Sequence, residues 1–457
     1  MPFTRYDRSM TIDGLDPLSA KGKHPLFVLA DCNNFFVSCE HVFDPRLEGI
    51  PVVVLSNNDA CVISRSNEAK KLDIKVGTPV YQIRDVIKKN RIRMLSANFT
   101  LYRDLSRRII HCLRQFCPDI EVYSVDEVFM TLQEADGRAT DALIRNMRQT
   151  VYRWVGIPVS IGVAETKTLA KLSAEYAKKE ISTGGCFDLS ACSRQDRDKV
   201  LACTAVDDIW GIGRQYGKWL TARGITTALQ LREIDQRWFG RKAGVTGLRT
   251  VKELQGISCL PLKLDAPPRK MITCSRSFGK RVTDLQELRE AVATFAAQAG
   301  RELRHDRSLA RRITVHCSVQ PKLATAESFT TKTLLLPLPT DRDCDLIRVA
   351  VTCLEQIYRS NLVYSKSGVT LSNLSRADVC QTDIFANNEC NRPDKLSCVI
   401  DHLNTHWGYG TIQYAATGTQ RGWQSQAVLR SSNYTTHWQE LPAAHAAFQT
   451  IPGTKRQ

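Results

Sequence analysis

Three carboxylates occupy positions where a charged group needs a cationic partner. Asp31 directly follows an apolar run at 26–30 that predicts a buried strand, and the pair Asp126 and Glu127 lies between two β-type stretches, at the expected turn of a hairpin. At a turn the side chains of both acids can bind the same ion, and carboxylate oxygens are ligands that Mg²⁺ prefers. The pattern predicts a divalent-metal site; the alternative is an ordinary acidic turn pair with Asp31 as a helix N-cap.

A row of lysines could serve the same site. Lys167, Lys171 and Lys178 recur at helical spacing within a helix that we expect from about Thr166 to Lys179. Such a row most often faces solvent, but beside three acids it can instead neutralise bound phosphates.

Two further segments have the residue types that bind DNA phosphates. Gly211 and Gly213, followed by Arg214 and Lys218, fit a helix-hairpin-helix whose turn amides hold a phosphate without reading base sequence; the alternative is a plain turn between helices. The second segment is basic, contains no acid, and can follow a phosphate backbone if it forms a strand. Its basic residues are Arg269, Lys270, Arg276, Lys280 and Arg281.

The overall charge also favours a polyanionic partner. The 457 residues include 63 Lys and Arg against 47 Asp and Glu, a formal net charge of +16, so nucleic acid is the first candidate and an acidic membrane surface the second. No apolar run approaches the roughly 18 residues of a membrane span, which predicts a cytoplasmic protein with no membrane segment.

The 16 cysteines contain no Cys-x-x-Cys pair and predict reduced thiols rather than a disulfide framework. One cluster near the end of the chain could be imagined as a zinc site, although its first gap is wide for one. It consists of Cys390, Cys398, His402 and His406. The other interpretation is a helix with Leu403 and Trp407 on its packing face.

Strands alternate with helices around these residues. Strands are expected at 50–55 and 159–164, a short helix at 64–72, and an all-helical region at 201–256. A Pro- and Lys-rich linker follows, and then a second α/β unit with a helix before an alternating strand at 313–319. The sequence therefore predicts a multidomain α/β (α+β) protein without internal repeats.

Six motifs, together and in this order, resemble the Y-family translesion DNA polymerases, and within them the UmuC branch. They are FVLADCNNFFVSCE, PVVVLSNNDACVISRSNEAKKLDIKVG, YSVDEVF, GVAETKTLAKLSAEYAKK, WGIGRQYGKWL and CSRSFGKRV. The closing segment LRSSNYTTHWQELP resembles the end of that branch, so the match extends from about residue 25 to residue 443.

The resemblance implies a right-handed polymerase with a ferredoxin-like palm, small fingers, a helical thumb with a helix-hairpin-helix, and an α/β little finger. The expected boundaries are a flexible leader at 1–24, palm at 25–34 and 97–187, fingers at 35–96, thumb at 188–257, linker at 258–271, little finger at 272–378 and a C-terminal tail at 379–457.

The resemblance also implies roles for individual residues. Asp31, Asp126 and Glu127 match the catalytic carboxylates that bind two Mg²⁺ ions, with the main-chain carbonyl of Cys32 as a further ligand. Phe35 and Phe36 match nucleotide-binding positions, with Phe36 at the steric gate against a 2′-hydroxyl. The positions that contact the incoming triphosphate are matched by Ser64, Lys70 and Lys178, and DNA contacts are expected from Gly211, Gly213, Arg214, Lys218, Arg276, Lys280 and Arg281.

The chain departs from the family pattern at a few positions. Val128 stands where a small Ala is usual, Thr131 where many relatives have Asp, and Ala60 where Gly is common. None of these changes removes a metal ligand, so a loss of activity is not implied, although rate or base preference could be altered. The alternatives to a polymerase are a non-catalytic DNA-binding paralogue, which the retained acids disfavour, and another palm-type enzyme such as a cyclase, which the DNA-binding motifs disfavour.

Partners follow from the same resemblance: primer-template DNA, deoxynucleoside triphosphates, a processed UmuD-type dimer and RecA, with association with the nucleoid during activity. The segment at 381–385 resembles a short sliding-clamp-binding peptide, with Gln381 hydrogen-bonding at the rim of the clamp pocket and Ile384 and Phe385 as apolar anchors. The alternative is an ordinary loop with two residues tucked into the domain.

Overall fold

The computed structural model describes residues 25–132, 137–265, 267–321, 328–378, 395–419 and 421–442. The strands in these ranges are β1 (Leu26–Cys32), β2 (Val52–Leu55), β3 (Val62–Arg65), β4 (Arg93–Ser96), β5 (Ile120–Val122), β6 (Glu127–Leu132), β7 (Val159–Ala164), β8 (Cys186–Asp188), β9 (Met271–Val282), β10 (Ser308–Pro321), β11 (Ser328–Thr340) and β12 (Leu362–Arg376). The helices are α1 (Phe35–Phe43), α2 (Asn67–Lys71), α3 (Arg84–Lys89), α4 (Phe99–Leu113), α5 (Gly137–Val155), α6 (Lys167–Lys179), α7 (Arg194–Cys203), α8 (Arg214–Thr221), α9 (Ala228–Arg232), α10 (Gln236–Leu254), α11 (Leu285–His305), α12 (Asp343–Ile357) and α13 (Lys395–Trp407).

The chain divides into two compact units. The first takes Met1–Val42 and Tyr102–Asp265, and the second takes Phe43–Leu101 and Ala266–Gln457. Each unit therefore combines segments that are far apart in sequence.

A five-stranded sheet forms the centre of the first unit, in the order β5-β6-β1-β7-β8. Strand β1 pairs antiparallel with β6 and with β7, and every residue of β1 is buried, as its continuous apolar run predicts. Strands β5 and β6 form an antiparallel hairpin, and Glu127 is the first residue of β6. The hairpin predicted around the acidic pair is confirmed.

Helix α6 packs on β7 and β1, and its predicted extent is confirmed. Thr166 caps its start by accepting a hydrogen bond from the Leu169 amide at 3.2 Å. The helix lies so close to the sheet that a Cβ at Gly162 of β7 would stand 2.1 Å from the Ala174 nitrogen. Only glycine permits this approach, which fixes the height of α6 above β7.

The helices α7–α10 share a core with this sheet, confirming the helical prediction for this part of the chain. Phe27 and Leu29 of β1 belong to the same buried cluster as Leu220, Phe239 and Val251. The helical region thus packs against this sheet within the first unit.

The second unit begins with a three-stranded sheet, in the order β3-β2-β4, within what we call the three-stranded module (residues 43–101). The prediction of a helix from residue 64 is wrong for Ser64 and Arg65, because both pair with β2 as part of β3. The short helix α2 starts only after Ser66, whose hydroxyl accepts a hydrogen bond from the Ala69 amide at 3.3 Å.

The second unit also contains an antiparallel sheet in the order β11-β10-β12-β9, with helices α11 and α12 packed against it; residues 271–376 are called the four-stranded module below. The alternating strand predicted at 313–319 lies within β10, and the apolar stripe predicted on the preceding helix, including Leu288, Phe295 and Leu303, is buried on α11. Both predictions are confirmed.

Helix α13 carries His402 and His406, but Trp407 is 70% exposed, so the packing face predicted for that residue is wrong. Cys390 lies outside the described residues. Among those that are described, no group of His, Cys, Asp and Glu has a metal-binding arrangement, and no helix is long and apolar enough to cross a bilayer. The described cysteines are free thiols.

Candidate active site

The three predicted acids meet at one end of two neighbouring strands. Asp31 on β1 lies directly opposite Glu127 on β6 in the antiparallel register. The Cys32 amide donates a hydrogen bond to the Asp126 carbonyl at 2.9 Å, which ties the hairpin turn to the end of β1. The structure therefore brings together residues that are almost a hundred positions apart in the sequence.

Ser124 orients the acidic turn, and sequence reasoning did not identify it. Its hydroxyl donates to the Asp126 carboxylate at 2.5 Å and accepts from the Glu127 amide at 3.0 Å. A serine just before turn acids is a common local motif, so this spacing was the available signal.

Two lysines of α6 reach the acids. Lys178 Nζ lies 2.6 Å from an oxygen of Asp31, and Lys171 Nζ lies 2.7 Å from one of Glu127. The expectation of one continuous cationic row is wrong for Lys167, whose side chain is only 2% exposed. Lys167 pairs with Glu121 and donates to the Pro261 carbonyl at 2.9 Å.

Burial dominates the electrostatics of this site. It raises the pKa of Asp31 to about 7, while Lys178 opposes the shift and the negative charges of Glu127 and Asp126 add to it. Burial likewise raises the pKa of the Cys32 thiol, which keeps that thiol protonated at neutral pH. A cluster of crowded, partly desolvated carboxylates gains from a further cation.

The donor set fits Mg²⁺ in its chemistry: the carboxylates of Asp31, Asp126 and Glu127, with the Cys32 carbonyl as a further hard oxygen. Two of these side chains are paired with lysines as described above, and the described residues contain no group already arranged as a metal site. Lys178 and Lys171 would therefore compete with a metal ion for oxygens of Asp31 and Glu127. A cavity of about 350 Å³ opens beside Asp31 and Glu127 and is lined in part by Lys171 and Trp210.

The structure distinguishes the two adjacent phenylalanines on α1. Phe35 is buried at 3% exposure, so its side chain belongs to the core. Phe36 is half-buried and stacks on Tyr102, with ring centroids 4.7 Å apart. Tyr102 donates a hydrogen bond to Glu40 at 2.7 Å, which fixes the ring that supports Phe36. Sequence reasoning did not predict this supporting pair.

The other two residues assigned to the triphosphate lie in the second unit. Ser64 on β3 is 8% exposed, and Lys70 on α2 is exposed. The first unit thus contains the acids, Lys178 and the aromatic pair, and the second contains Ser64 and Lys70.

The Gly-Ile-Gly segment has the geometry of a tight turn before a helix. Gly211 has φ +96° and lies against Thr250, so a Cβ there would be 2.6 Å from the Thr250 hydroxyl oxygen. Gly213 is the N-cap of α8, and Gly213, Arg214 and Lys218 are all exposed. The start of this helix is thus available for a phosphate contact.

Strand β9 presents Arg276, Lys280 and Arg281 to solvent, and Lys280 lies 3.3 Å from Glu287. Sequence reasoning missed a row of hydroxyls that crosses the same sheet in register. The row consists of Thr273, Thr370, Thr314 and Thr333. Hydrogen bonds of about 3 Å join the outer pairs of this row.

Family models match three parts of the chain. The model described as the impB/mucB/samB family matches residues 30–175, the model of its C-terminal domain matches 269–384, and a domain of unknown function matches 394–444. Protein UmuC of Salmonella typhimurium is 40% identical over 422 residues, covering 91% of this chain and 99% of that protein. Protein SamB of Salmonella typhimurium is 39% identical, covering 92% and 99%.

More distant relatives are named as polymerases. DNA polymerase IV 1 of Bacillus subtilis is 25% identical, covering 87% of this chain and 94% of that protein. A solved Y-family DNA polymerase chimera of Dbh and Dpo4 is similar with a TM-score of 0.60 at 21% identity, covering 77% of this chain and 99% of that one. A Dbh ternary complex is similar with a TM-score of 0.53 at 20% identity, covering 76% and 98%.

At such identities the solved structures establish the fold, which is that of the Y-family polymerases. The family is established by the relatives that match nearly the whole chain, and the family models cover the parts that carry the acids and the basic strand. The chain therefore belongs to the impB/mucB/samB family, the UmuC branch of the Y-family DNA polymerases.

Proposed function

We propose that this chain performs template-directed DNA synthesis past damaged bases. It would be the catalytic subunit of a polymerase that acts in a DNA-damage (SOS-type) response. The observation that carries the proposal is the meeting of Asp31, Asp126 and Glu127 at the ends of β1 and β6, backed by lysines from α6.

The three carboxylates and the Cys32 carbonyl would hold two Mg²⁺ ions. Such ions activate a primer 3′-hydroxyl and stabilise the departing pyrophosphate. The chain itself supplies a rigid frame, because β1 and β6 are paired up to Asp31 and Glu127 and Ser124 fixes the Asp126 carboxylate. Lys178, once it leaves Asp31, is a cation on the same helix face that can bind a triphosphate oxygen.

Selection of the sugar is assigned to Phe36. Its ring is held by the Tyr102 stack, and a rigid ring beside the sugar would collide with a 2′-hydroxyl. Ser64 and Lys70 are proposed to contact the triphosphate from the fingers, for which we propose the bounds 35–96.

DNA binding is assigned to two surfaces that make no base-specific contact. The exposed turn at Gly211 and Gly213, with Arg214 and Lys218, would bind a phosphate through helix amides and positive charge. The basic residues of β9 and the neighbouring hydroxyl row would follow the backbone of the duplex.

Partners beyond the DNA and the deoxynucleoside triphosphates are proposed from the family: a processed UmuD-type dimer, RecA and a sliding clamp. The residues proposed for the clamp, Gln381, Ile384 and Phe385, lie outside the described residues. Because its template would be chromosomal DNA, we expect the protein in the cytoplasm, on the nucleoid when active.

The proposal is tested by primer extension with Mg²⁺ and all four deoxynucleotides, supplied with the partners above. Asp31→Asn and Asp126→Asn should each abolish extension while leaving primer-template binding nearly unchanged, because each removes one metal ligand. Asp119→Asn serves as the control, since Asp119 is an exposed acid just before β5. Undiminished extension by either variant would reject the metal assignment, and binding without extension by the wild type would favour a regulatory DNA-binding role.

A further inference from the structure

A segment near the end of the chain contacts both sheets of the second unit. We call residues 421–434 the C-terminal strap; they lie within the region matched by the domain of unknown function at 394–444. The strap has little regular secondary structure, so its position depends on a few specific contacts.

The first end of the strap is anchored in the core of the four-stranded module. Trp423 is 3% exposed and packs edge-on against Phe295 and Phe278, with centroid distances of 5.4 and 6.2 Å. The Gly279 amide of β9 donates to the Trp423 carbonyl at 3.1 Å. A Cβ at Gly279 would stand 2.3 Å from the Gln424 carbonyl oxygen, so the strap lies directly on β9.

The second end is attached to the three-stranded module. The Ser96 amide donates to the Leu429 carbonyl at 3.1 Å, and the Leu429 amide donates to the Ser96 hydroxyl at 2.9 Å. Asn98 is 1% exposed and donates to the carbonyls of Ser431 and Ser432. These bonds satisfy polar groups at the end of β4.

The second end closes with an aromatic stack. The Phe43 and Tyr434 rings lie 4.8 Å apart and are inclined by only 8°. The strap is therefore attached to the three-stranded module by a packed contact as well as by hydrogen bonds.

Asn58 joins all three parts. Its side-chain amide donates to the carbonyls of Ser277 and Phe278 on β9, each at 3.1 Å. Its side-chain oxygen Oδ1 accepts from the Gln426 amide at 2.8 Å, and its main-chain amide donates to the Gln426 carbonyl at 3.0 Å. Asn58 has φ 64°, a left-handed conformation that Asn and Gly tolerate better than other residues.

The region before the strap is also fixed to the four-stranded module. Arg304 of α11 pairs with Asp401 of α13 at 2.6 Å and with Asp343 of α12 at 2.8 Å. The helix that precedes the strap in the chain is thus already held against the four-stranded module.

We propose that the C-terminal strap is an intramolecular tether that holds the three-stranded module against the four-stranded module, with Asn58 as the central bridge. The attachments differ in kind, since Trp423 is inserted into the core of the four-stranded module whereas the contacts after it are hydrogen bonds to Asn58, Ser96 and Asn98 and one ring stack at Phe43. Release therefore begins at the end that contains Leu429, and Trp423 stays in place as the hinge.

The test is amide hydrogen exchange of the full chain, followed by mass spectrometry. Asn58→Gly keeps the left-handed backbone and removes the three side-chain bonds. We expect exchange at Gln426, Leu429 and Ser96 to accelerate by about tenfold or more, while Gly279 and the amides of α11 keep their protection.

Asn373→Gly is the matched control, because Asn373 is an exposed left-handed asparagine in the same unit, with φ 55°. A second measurement is trypsin cleavage after Arg430, which should be slow in the wild type and in Asn373→Gly and faster in Asn58→Gly. The tether is rejected if the wild-type strap exchanges as fast as an unfolded peptide, or if Asn58→Gly behaves like the control.

Discussion

Two lysines on one face of α6 balance acids that belong to two different strands. Lys171 pairs with Glu127, and Lys178 pairs with Asp31. The arrangement explains how several carboxylates remain close together inside the first unit, where burial and the neighbouring acids raise the pKa of Asp31 to about 7 although Lys178 opposes the shift. It also gives Lys178 two partners in the proposed reaction, the carboxylate before metal binding and a phosphate afterwards.

The residue-scale prediction concerns the steric gate. Phe36→Ala should raise ribonucleotide incorporation relative to deoxynucleotide incorporation, because it removes the ring that is held by Tyr102. The measurement compares kcat/KM for the two nucleotide classes in primer extension. Tyr102→Phe is the comparison: it keeps the stacked ring and loses only the bond to Glu40, so it should lower stability by about 2 kcal/mol and change sugar selection far less than Phe36→Ala does. Unchanged sugar selection in Phe36→Ala would place the gate at another residue.

At the scale of elements, close packing of α6 on β7 positions the lysines above the acids. Gly162→Ala should destabilise the first unit by about 3 kcal/mol, since the new methyl group would meet the backbone of α6 and not a movable side chain. Thermal or denaturant unfolding measures the loss. Gly213→Ala is the matched control, because no atom lies within 4 Å of its added Cβ. Equal stability of the two variants would contradict the packing described here.

A second element-scale prediction concerns the ion cluster between α11, α12 and α13. Arg304 is 8% exposed at its side chain, and burial raises the pKa of Asp343 even with Arg304 present. Arg304→Leu should cost about 3–5 kcal/mol at neutral pH, because it leaves buried carboxylates without their cation.

The pH dependence of that variant follows from the sign of the shift. A carboxyl whose folded pKa is raised destabilises the folded state at pH values above it, and the penalty disappears as the pH falls and the group is protonated. The difference in unfolding free energy between Arg304→Leu and the wild type should therefore shrink from neutral towards acidic pH. A difference that stays constant over this range would show that lost packing, and not the unpaired charge, causes the effect.

At the scale of the whole molecule, a formal charge of +16 favours DNA binding at many places, but charge alone does not keep a polymerase on one primer end. A tether to a ring-shaped clamp raises the local concentration of primer ends without new contacts in the active site. The segment at 381–385 remains our prediction for that tether.

The combined substitution of Gln381→Ala and Phe385→Ala should leave synthesis on a short primer nearly unchanged and remove its stimulation by a loaded clamp. Thr382→Ala, within the same segment but outside the anchor pattern, is the control and should retain stimulation. Stimulation that persists in the double variant would assign these residues to an ordinary loop.

The sequence by itself determined the family, the positions of the three acids, the hairpin around Asp126 and the extent of α6. These features depend on motifs and on local periodicity, and both can be recognised within a short stretch of sequence. Prediction from the sequence failed for Ser64, because pairing with β2 overrides a helical pattern there. It also failed for Lys167, because the burial of that side chain beside Glu121 depends on packing. Only the tertiary structure decided which lysine meets which acid and where the strap lies. Asn98 and Ser431, for example, are 333 residues apart, and no periodicity in either segment encodes a contact over that separation.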